Sequence, residues 1–586
     1  MKVEEGFKQT PPTEGHPFLD DPILPALLHR LCPSGHYNRI RADLVNLGTQ
    51  VLPDMREIGN LATPPYLVQY NQWGQRIDKL VTSESWRNLK AVSQKEGIIG
   101  IFYERESGDF SRVHGFMKVL MMAGDAQVIF CPLSMTDGCA RALELYGSHV
   151  LREEVLRRLV SRNPDTAFTA GQWMTERPGG SDVSQTETTA THIVSDAYLL
   201  DGFKWFSSAT DSDVSLALAR TGDPSGGSRS LSLFLIPLNP SLYPNARDSR
   251  TQSARNGILI HRLKNKFGTH IVPTAELSLQ GTHAHLVGKL NQGVKTISSV
   301  LNITRVHSGV GSVGYVRKAL SLAKAYASVR RTGHPRTLLH DIPLHLNELA
   351  KLTVTYKALV HFVFEVVGLL GKVECGTADE PAQHRLRVLT PVLKAFCAEK
   401  GVQVTIECMT ALGGEGYMEE NGIGRLVRDG IVEKIWEGTT TVLSLDMVKA
   451  FQTRGSVEAL SQWVKAEIKR AKVALHGKLR GIDGIIASAL DTLVTSLRSP
   501  SALSPRPALF LLGYIASGTA MLEHAVWSAS HRTQTEHEVD IETVIRWVEC
   551  GGLAAAREEL RTASALDHEV NGRIVYGSNG KVRWKL

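Results

Sequence analysis

The spacing of apolar residues changes twice along this chain, and any fold it adopts must accommodate both changes. From Leu24 to about Val160 the period is helical: Leu24, Leu27, Leu28 and Leu31 open it, and Met117, Leu120, Met121 and Val128 keep it later. Residues 140–159 read as a helix whose charged face carries Glu144, Arg152, Glu153, Glu154, Arg157 and Arg158. Past Asn163 the period shortens to that of strands. Runs at 191–208, 214–220, 231–236, 258–263 and 275–279, separated by turn clusters such as 222–227, predict an antiparallel barrel or sandwich. After Gly288 long helical stripes return at 294–329, 343–372, 383–412 and 440–451, which an antiparallel bundle buries most simply. A further helical region runs from Gln452 to the end, broken by a loop at 499–505. The expectation is an α+β chain: a loose arm (1–22), an N-terminal helical domain (23–165), a central antiparallel β domain (166–288), a helical bundle (289–451) and an extra C-terminal helical region (452–586).

Composition narrows the class. At 586 residues the chain is long enough for about three or four domains. No apolar run reaches the roughly 18 residues of a spanning helix, so no membrane is expected. The start, Met1 to Phe7, carries acids and no apolar segment, unlike a secretory signal or an arginine-rich transit peptide, and points to the cytoplasm. Seven cysteines without a CxxC pair or Cys/His cluster fit a reducing compartment and no structural metal. A net charge of +7 is mild for this length. It suits anionic ligands such as nucleotides and coenzyme A without arguing for DNA.

Four stretches carry candidate chemistry. Residues 435–445, Ile-Trp-Glu-Gly-Thr-Thr-Thr-Val-Leu-Ser-Leu, set one carboxylate, Glu437, between Trp436 and Gly438. A carboxylate against apolar surface holds its proton more tightly and suits a general base. Gly438 lets backbone approach a ligand, and Thr439 and Thr441 offer hydroxyls. A threonine-capped helix start with a solvated glutamate explains the same residues. The loop at 171–183, Gly-Gln-Trp-Met-Thr-Glu-Arg-Pro-Gly-Gly-Ser-Asp-Val, can bend tightly and present Thr175, Ser181 and free N–H groups to an anion or a ring carbonyl; a plain turn is the simpler account. In Lys204-Trp205-Phe206-Ser207-Ser208 the aromatics can wall a flat ring or fill a barrel core. Residues 411–417, Ala-Leu-Gly-Gly-Glu-Gly-Tyr, read as a helix stop.

In this order and spacing the four stretches resemble the acyl-CoA dehydrogenase family over about 24–451. The Gly-Gly-Ser-Asp-Val loop, the Ile-Trp-Glu-Gly segment and the extra C-terminal region are similar to its AidB-like branch. The resemblance implies FAD between the β domain and the bundle. Met174, Thr175 and Ser181 would contact flavin and pyrophosphate, Phe206, Ser207 and Ser208 would line the other side, and Trp436, Thr439 and Thr441 would complete the site. Glu437 falls on the catalytic base. In isovaleryl-type enzymes the base precedes an arginine of the first bundle helix; here that arginine is Arg305 and its neighbour is Thr304. The implied reaction is α,β-dehydrogenation of an acyl-CoA, in short or branched acyl breakdown or in secondary-metabolite (for example toxin) biosynthesis. An electron-transfer flavoprotein is the implied acceptor and a homotetramer the implied assembly.

Departures qualify the match. The family's Arg-x-x-Phe-Gly-x-Pro becomes Arg330-Arg331-Thr332-Gly333-His334-Pro335, which leaves open whether Arg330 or Arg331 reaches FAD, and Thr410 stands where a glutamine is common. A second reading is an AidB-like, DNA-associated protective flavoprotein with little turnover. Residues 452–586 hold 17 Lys and Arg against 14 Asp and Glu, with a cluster at Lys465, Lys469, Arg470, Lys472, Lys478 and Arg480 that a solvated helix face also explains. The ending Trp584-Lys585-Leu586 is similar to a peroxisomal Ser-Lys-Leu signal, with tryptophan in place of a small residue, and makes the peroxisome the alternative address.

Overall fold

The computed structural model describes residues 8–238, 256–563 and 568–577. The Trp584-Lys585-Leu586 ending lies outside the described residues. The chain divides into two compact units, one of Met1–Asp379 with Leu393–Thr439, the other of Glu380–Val392 with Thr440–Leu586.

In the first unit the opening stripe forms as expected. Helix Leu24–Leu31 has proline in its first turn and buries Leu24, Leu27 and Leu28. The N-terminal region is not helical throughout, however. Strands β1 (Tyr66–Tyr70) and β2 (Arg76–Val81) form an antiparallel hairpin inside the stretch read as helix. Its turn is closed by the Asn71 side chain, which accepts from the N–H groups of Trp73 and Gln75, and by Gly74 at φ +75°. The hairpin is held by a distant edge: Gln69 donates to the His261 carbonyl at 2.8 Å, and the Ile260 N–H donates to Asp78 at 2.9 Å. Those partners lie almost 200 residues away, so local periodicity carries no trace of them.

The β domain comprises β3 (Ala170–Trp173), β4 (Thr189–Val194), β5 (Ala197–Ser208), β6 (Val214–Arg220), β7 (Leu231–Pro237), β8 (Ile258–Leu263) and β9 (Thr274–Val287). The run read as 191–208 splits into β4 and β5 at Ser195, φ +53°. Pairing follows β3-β6-β4-β5-β9-β7; β6 also pairs with β7, closing the path, and β8 adds to β9. The pairs are antiparallel except β3 with β6, in register from Ala170↔Val214 to Trp173↔Ala217, and a single parallel bridge from β4 to β6. Strands joined through an intervening hairpin, rather than by a tight turn, are free to run parallel.

Helices Phe130–Tyr146 and Gly293–Ala327 pack against this sheet, and Ser111–Met122 and Pro343–Cys375 pack on Gly293–Ala327. The 35-residue helix Gly293–Ala327 is buried along most of its length. Charges are buried there in matched sets: Arg112 donates to both Asp137 and Glu374 at 2.6 Å, and His307 lies 2.8 Å from Asp137. The helix ending at Ala411 stops at Gly413, φ +63°. Beyond it comes a short helix, Ile423–Val432, absent from the expected elements. It starts where Asn421 accepts from the Ile423 N–H and leads straight into the turn that carries Glu437.

The second unit is helical: Thr440–Phe451, Ser456–Ala474, Ile482–Arg498, Pro505–His531, Gln534–Cys550, Leu553–Thr562 and His568–Tyr576. Pro505–His531 is long and apolar enough to span a bilayer, yet it is the buried centre of the unit. Its Ser517 hydroxyl receives the Trp547 indole N–H at 2.9 Å. Thr533 and Glu536 close a capping box on the next helix. Within the basic cluster, Arg470 pairs with Glu467, Lys472 with Asp483 at 3.0 Å and Arg480 with Glu542 at 3.2 Å.

Candidate active site

The upstream loop is locked from beneath by a buried ion pair. Glu176 accepts from the Lys204 ammonium, the Thr188 hydroxyl and the Glu187 N–H, each at 2.6 Å. Lys204 also donates to the Leu218 carbonyl. Both side chains are buried almost completely, and burial lowers the proton affinity of Lys204 against the pull of its partner. Strand β5 bulges between Lys204 and Ser207, where its register against β9 shifts. The Trp205 N–H therefore bonds the Thr175 carbonyl at 2.9 Å, tying the loop to the strand. The Trp173 indole donates to the Ser208 carbonyl at 3.0 Å.

These contacts bring the upstream candidates together. Met174 is half-buried against the core, and Thr175 packs beneath Gly180, where a Cβ would meet its side chain at about 3.1 Å. Ser181 is exposed beside them. Phe206 is 51% exposed, a large fraction for a phenylalanine inside a strand, and the Lys264 ammonium lies 4.7 Å from its ring. Lys264 sits closer still, 3.3 Å, over Trp205. Ser208 shares a hydrogen bond with Thr274. The Ser207 hydroxyl is buried with no hydrogen-bond partner among the described residues, as is the Gln172 side-chain oxygen on β3. An open aromatic face next to unmatched buried polar atoms fits a flat ring with a polar edge, the form of an isoalloxazine.

The loop between β8 and β9 links this sheet to the segment that carries Glu437. Gly268 lies against the Arg428 backbone, where a Cβ would come within about 2.5 Å of the carbonyl, and the Thr269 N–H donates to Asp429 at 2.6 Å. Arg428 and Asp429 belong to helix Ile423–Val432, and Glu437 follows in the turn after it.

Glu437 has φ +56°, a conformation uncommon outside glycine, and Gly438 beside it has φ +103°. The half-buried Glu437 carboxyl accepts from the Thr304 hydroxyl at 2.6 Å. Burial raises its proton affinity, opposed by the Thr304 bond and by the charges of Arg305 and Lys394. The two base positions of the family thus meet in one contact, with threonine at one and glutamate at the other. Arg305 donates to the Glu437 carbonyl at 3.3 Å. The Trp436 indole donates to Glu433 at 2.6 Å. Thr439 is exposed at the end of the first unit, and Thr441 is exposed in the first turn of Thr440–Phe451 in the second.

Sequence reasoning missed three residues here: Glu433, Ser308 and Lys394. Ser308 donates to Glu433 at 2.5 Å, and Lys394 donates to the Gly438 carbonyl at 2.7 Å. A glutamate four residues before Glu437 was a usable signal; the serine and lysine come from other helices and were not. Of the two family arginine candidates, Arg330 donates to Gln9 and Arg331 to the Arg336 carbonyl, and both are exposed.

Residues 291–451 match the acyl-CoA dehydrogenase C-terminal domain, 171–282 its middle domain, and 8–166 the adaptive response protein AidB N-terminal domain. Acyl-CoA dehydrogenase family member 11 of Caenorhabditis elegans is 39% identical over 565 residues, covering 92% of this chain and 88% of the relative. The putative acyl-CoA dehydrogenase AidB of Escherichia coli is 27% identical over 494 residues, covering 82% and 85%. The crystal structure of Caenorhabditis elegans ACDH-11 in complex with C11-CoA superposes with a TM-score of 0.89 at 37% identity, over 98% of this chain and 97% of that one. With the three-part match and the 39% identical relative in agreement, the chain belongs to the acyl-CoA dehydrogenase family of FAD-dependent oxidoreductases, on its AidB-like branch.

Proposed function

We propose that this chain oxidises a saturated acyl-CoA to its trans-2-enoyl-CoA with Glu437 as the base. The observation that carries the reading is the Glu437 carboxyl itself: half-buried, raised in proton affinity, and held by Thr304 in a left-handed turn. A thioester α-proton is weakly acidic, so a base of raised affinity placed by a rigid turn lowers the barrier from both sides. Glu437 takes the α-proton, its backbone N–H donates to the thioester oxygen as negative charge develops there, and the α,β double bond forms as the β-hydrogen leaves with its electron pair. FAD, when bound, supplies the acceptor for that hydride. Met174, Thr175, Ser181, Phe206, Ser207, Ser208, Trp436 and Thr439 would hold it, the buried Ser207 hydroxyl being without a partner among the described residues and Phe206 being half exposed. An electron-transfer flavoprotein reoxidises the enzyme, and the working assembly is a homotetramer.

The complex of the Caenorhabditis elegans relative puts an eleven-carbon acyl chain at the head of the substrate panel, alongside short and branched ones. The test is the visible spectrum of the holoprotein on anaerobic addition of each acyl-CoA, with Glu437→Gln in parallel. Bleaching by one member, absent in the variant, supports the reading; a variant that bleaches at the wild-type rate removes Glu437 from it. The DNA-associated alternative gains nothing from the second unit, where three of the six clustered cations are already paired with carboxylates.

A further inference from the structure

Directly behind the base lies a set of buried groups that the reaction does not itself require. Glu433 is only 4% exposed, yet it is a carboxylate at the end of a short helix. One of its oxygens receives both the Ser308 hydroxyl, at 2.5 Å, and the Trp436 indole N–H, at 2.6 Å. The other faces Gly311, where a Cβ would stand about 3.7 Å away. Lys394 is fully buried and donates to the Gly438 carbonyl at 2.7 Å. The peptide that carries the base is therefore fastened on either side: Trp436 before it to Glu433, and Gly438 after it to Lys394. Arg305 fastens the Glu437 carbonyl between them, and Thr304 its carboxyl.

A turn needs no ionisable groups to be fastened. A backbone carbonyl and an indole N–H are satisfied as well by neutral side chains, and a buried lysine costs desolvation. What a lysine adds is charge. The Lys394 ammonium acts on both Glu433 and Glu437, favouring ionisation of each, while each carboxylate favours its protonation in return. We propose that Lys394 and Glu433 are positioning residues for the base: they pin the turn on both sides of Glu437 and make it share one buried positive charge with a second carboxylate. The inference rests on the reading of Glu437 as the base.

The shared charge has a direction. Burial pushes Glu433 up to about 7 and Lys394 down to about 8, and Lys394 still carries its charge at neutral pH. Glu433 also meets the repulsion of Glu437. The other ionisable groups around the set are Arg305, which opposes the charge on Lys394, and the Cys131 thiol and Tyr315 phenol, both neutral because burial pushes them up. Removing the lysine leaves Glu437 with less positive charge nearby and a tighter proton. Removing the charge of Glu433 removes the repulsion between the two carboxylates and loosens the proton of Glu437. A set that merely packs the turn predicts neither displacement, and certainly not opposite ones.

The test is an infrared titration of carboxyl bands in the FAD-loaded protein, which requires no turnover. The Glu437 band is identified as the one lost in Glu437→Gln. Lys394→Met is expected to move its midpoint up by about one pH unit, a tenfold change in proton affinity, and Glu433→Gln to move it down and sharpen it toward a single-site curve. Lys394→Arg keeps the charge and is expected to stay near wild type, as is the double variant Lys394→Met/Glu433→Gln. If Lys394→Met fails to fold, the Glu433→Gln and Lys394→Arg titrations decide alone. Midpoints that stay still in Glu433→Gln, or that move the same way in Glu433→Gln and Lys394→Met, overturn the proposal. The acid limb of the C11-CoA rate profile should follow the infrared midpoints. If instead Glu437→Gln retains turnover, the base assignment fails, while the infrared midpoints still report whether the three groups share a charge.

Discussion

Two buried glutamate–lysine sets lie in the first unit, one under the 171–183 loop and one behind the Glu437 turn, and they are built differently. Under the flavin-side loop, Lys204 and Glu176 meet directly at 2.6 Å, and the carboxylate is further saturated by Thr188 and Glu187. Behind the base, Lys394 donates to a peptide carbonyl, and two carboxylates depend on its charge. The first set is closed and stiff. The second sets two carboxylates near one buried ammonium, an arrangement that suits the base role proposed for Glu437. The difference separates a scaffold from a device that can be tuned, although both use the same residue types at similar burial.

The sharpest way to break that comparison is at the base. Glu437→Gln is expected to lower the rate of flavin reduction by about 100- to 10,000-fold while the protein still retains flavin; stopped-flow absorbance checks both. Next comes the closed set. Lys204→Met strands a buried carboxylate and is expected to cost about 3–5 kcal/mol of stability and to weaken flavin retention, read by thermal unfolding and by the flavin-to-protein absorbance ratio. Stability unaffected by Lys204→Met would mean that the pair is not what holds the loop.

The tunable set is better probed by pH. Glu433 holds its proton up to about 7 in the folded chain, above its unfolded value, so its contribution is fully present at low pH and is lost as pH rises through 7, by about 3 kcal/mol at most. Lys394 is depressed to about 8, so the folded state gains stability as pH rises from about 8 toward the unfolded lysine value. Denaturant titrations should show Glu433→Gln flattening the first slope and leaving the Lys204 region unaffected. A smaller effect is expected of Thr304→Val. Losing its hydrogen bond raises the proton affinity of Glu437, shifts the acid limb of activity to higher pH, and costs about 1.5–3 kcal/mol of preference for the ionised base. Smallest of all, neutralising the exposed Lys465 and Lys469 should change stability by less than about 0.5 kcal/mol and leave turnover as it was.

Most of the fold was legible because burial imposes a period on the sequence. The strands at 214–220 and 258–263 lie where alternation put them, and the long bundle helices fall within a few residues of their stripes. The hairpin at 66–81 was not legible, since its stability comes from pairing to Ile260 and His261 rather than from its own pattern. The short helix Ile423–Val432 went unread although Ile423, Leu426, Val427 and Ile431 keep helical spacing, because the glycine-rich stretch before it reads as a stop.

For the site, the sequence by itself determined which groups could do chemistry: a carboxylate between tryptophan and glycine, a glycine-rich loop with hydroxyls, and an aromatic strand ending in serines. Those choices sit within runs of about a dozen residues, where local geometry and residue type are enough. Only the tertiary structure decided what each group faces. The bulge that turns Trp205 toward Thr175, the hydroxyl of Thr304 on Glu437, and the lysine from a separate helix that charges the base turn all join segments far apart in the chain. Proton affinity depends on burial and on neighbouring charge, and both are properties of what folding brings together.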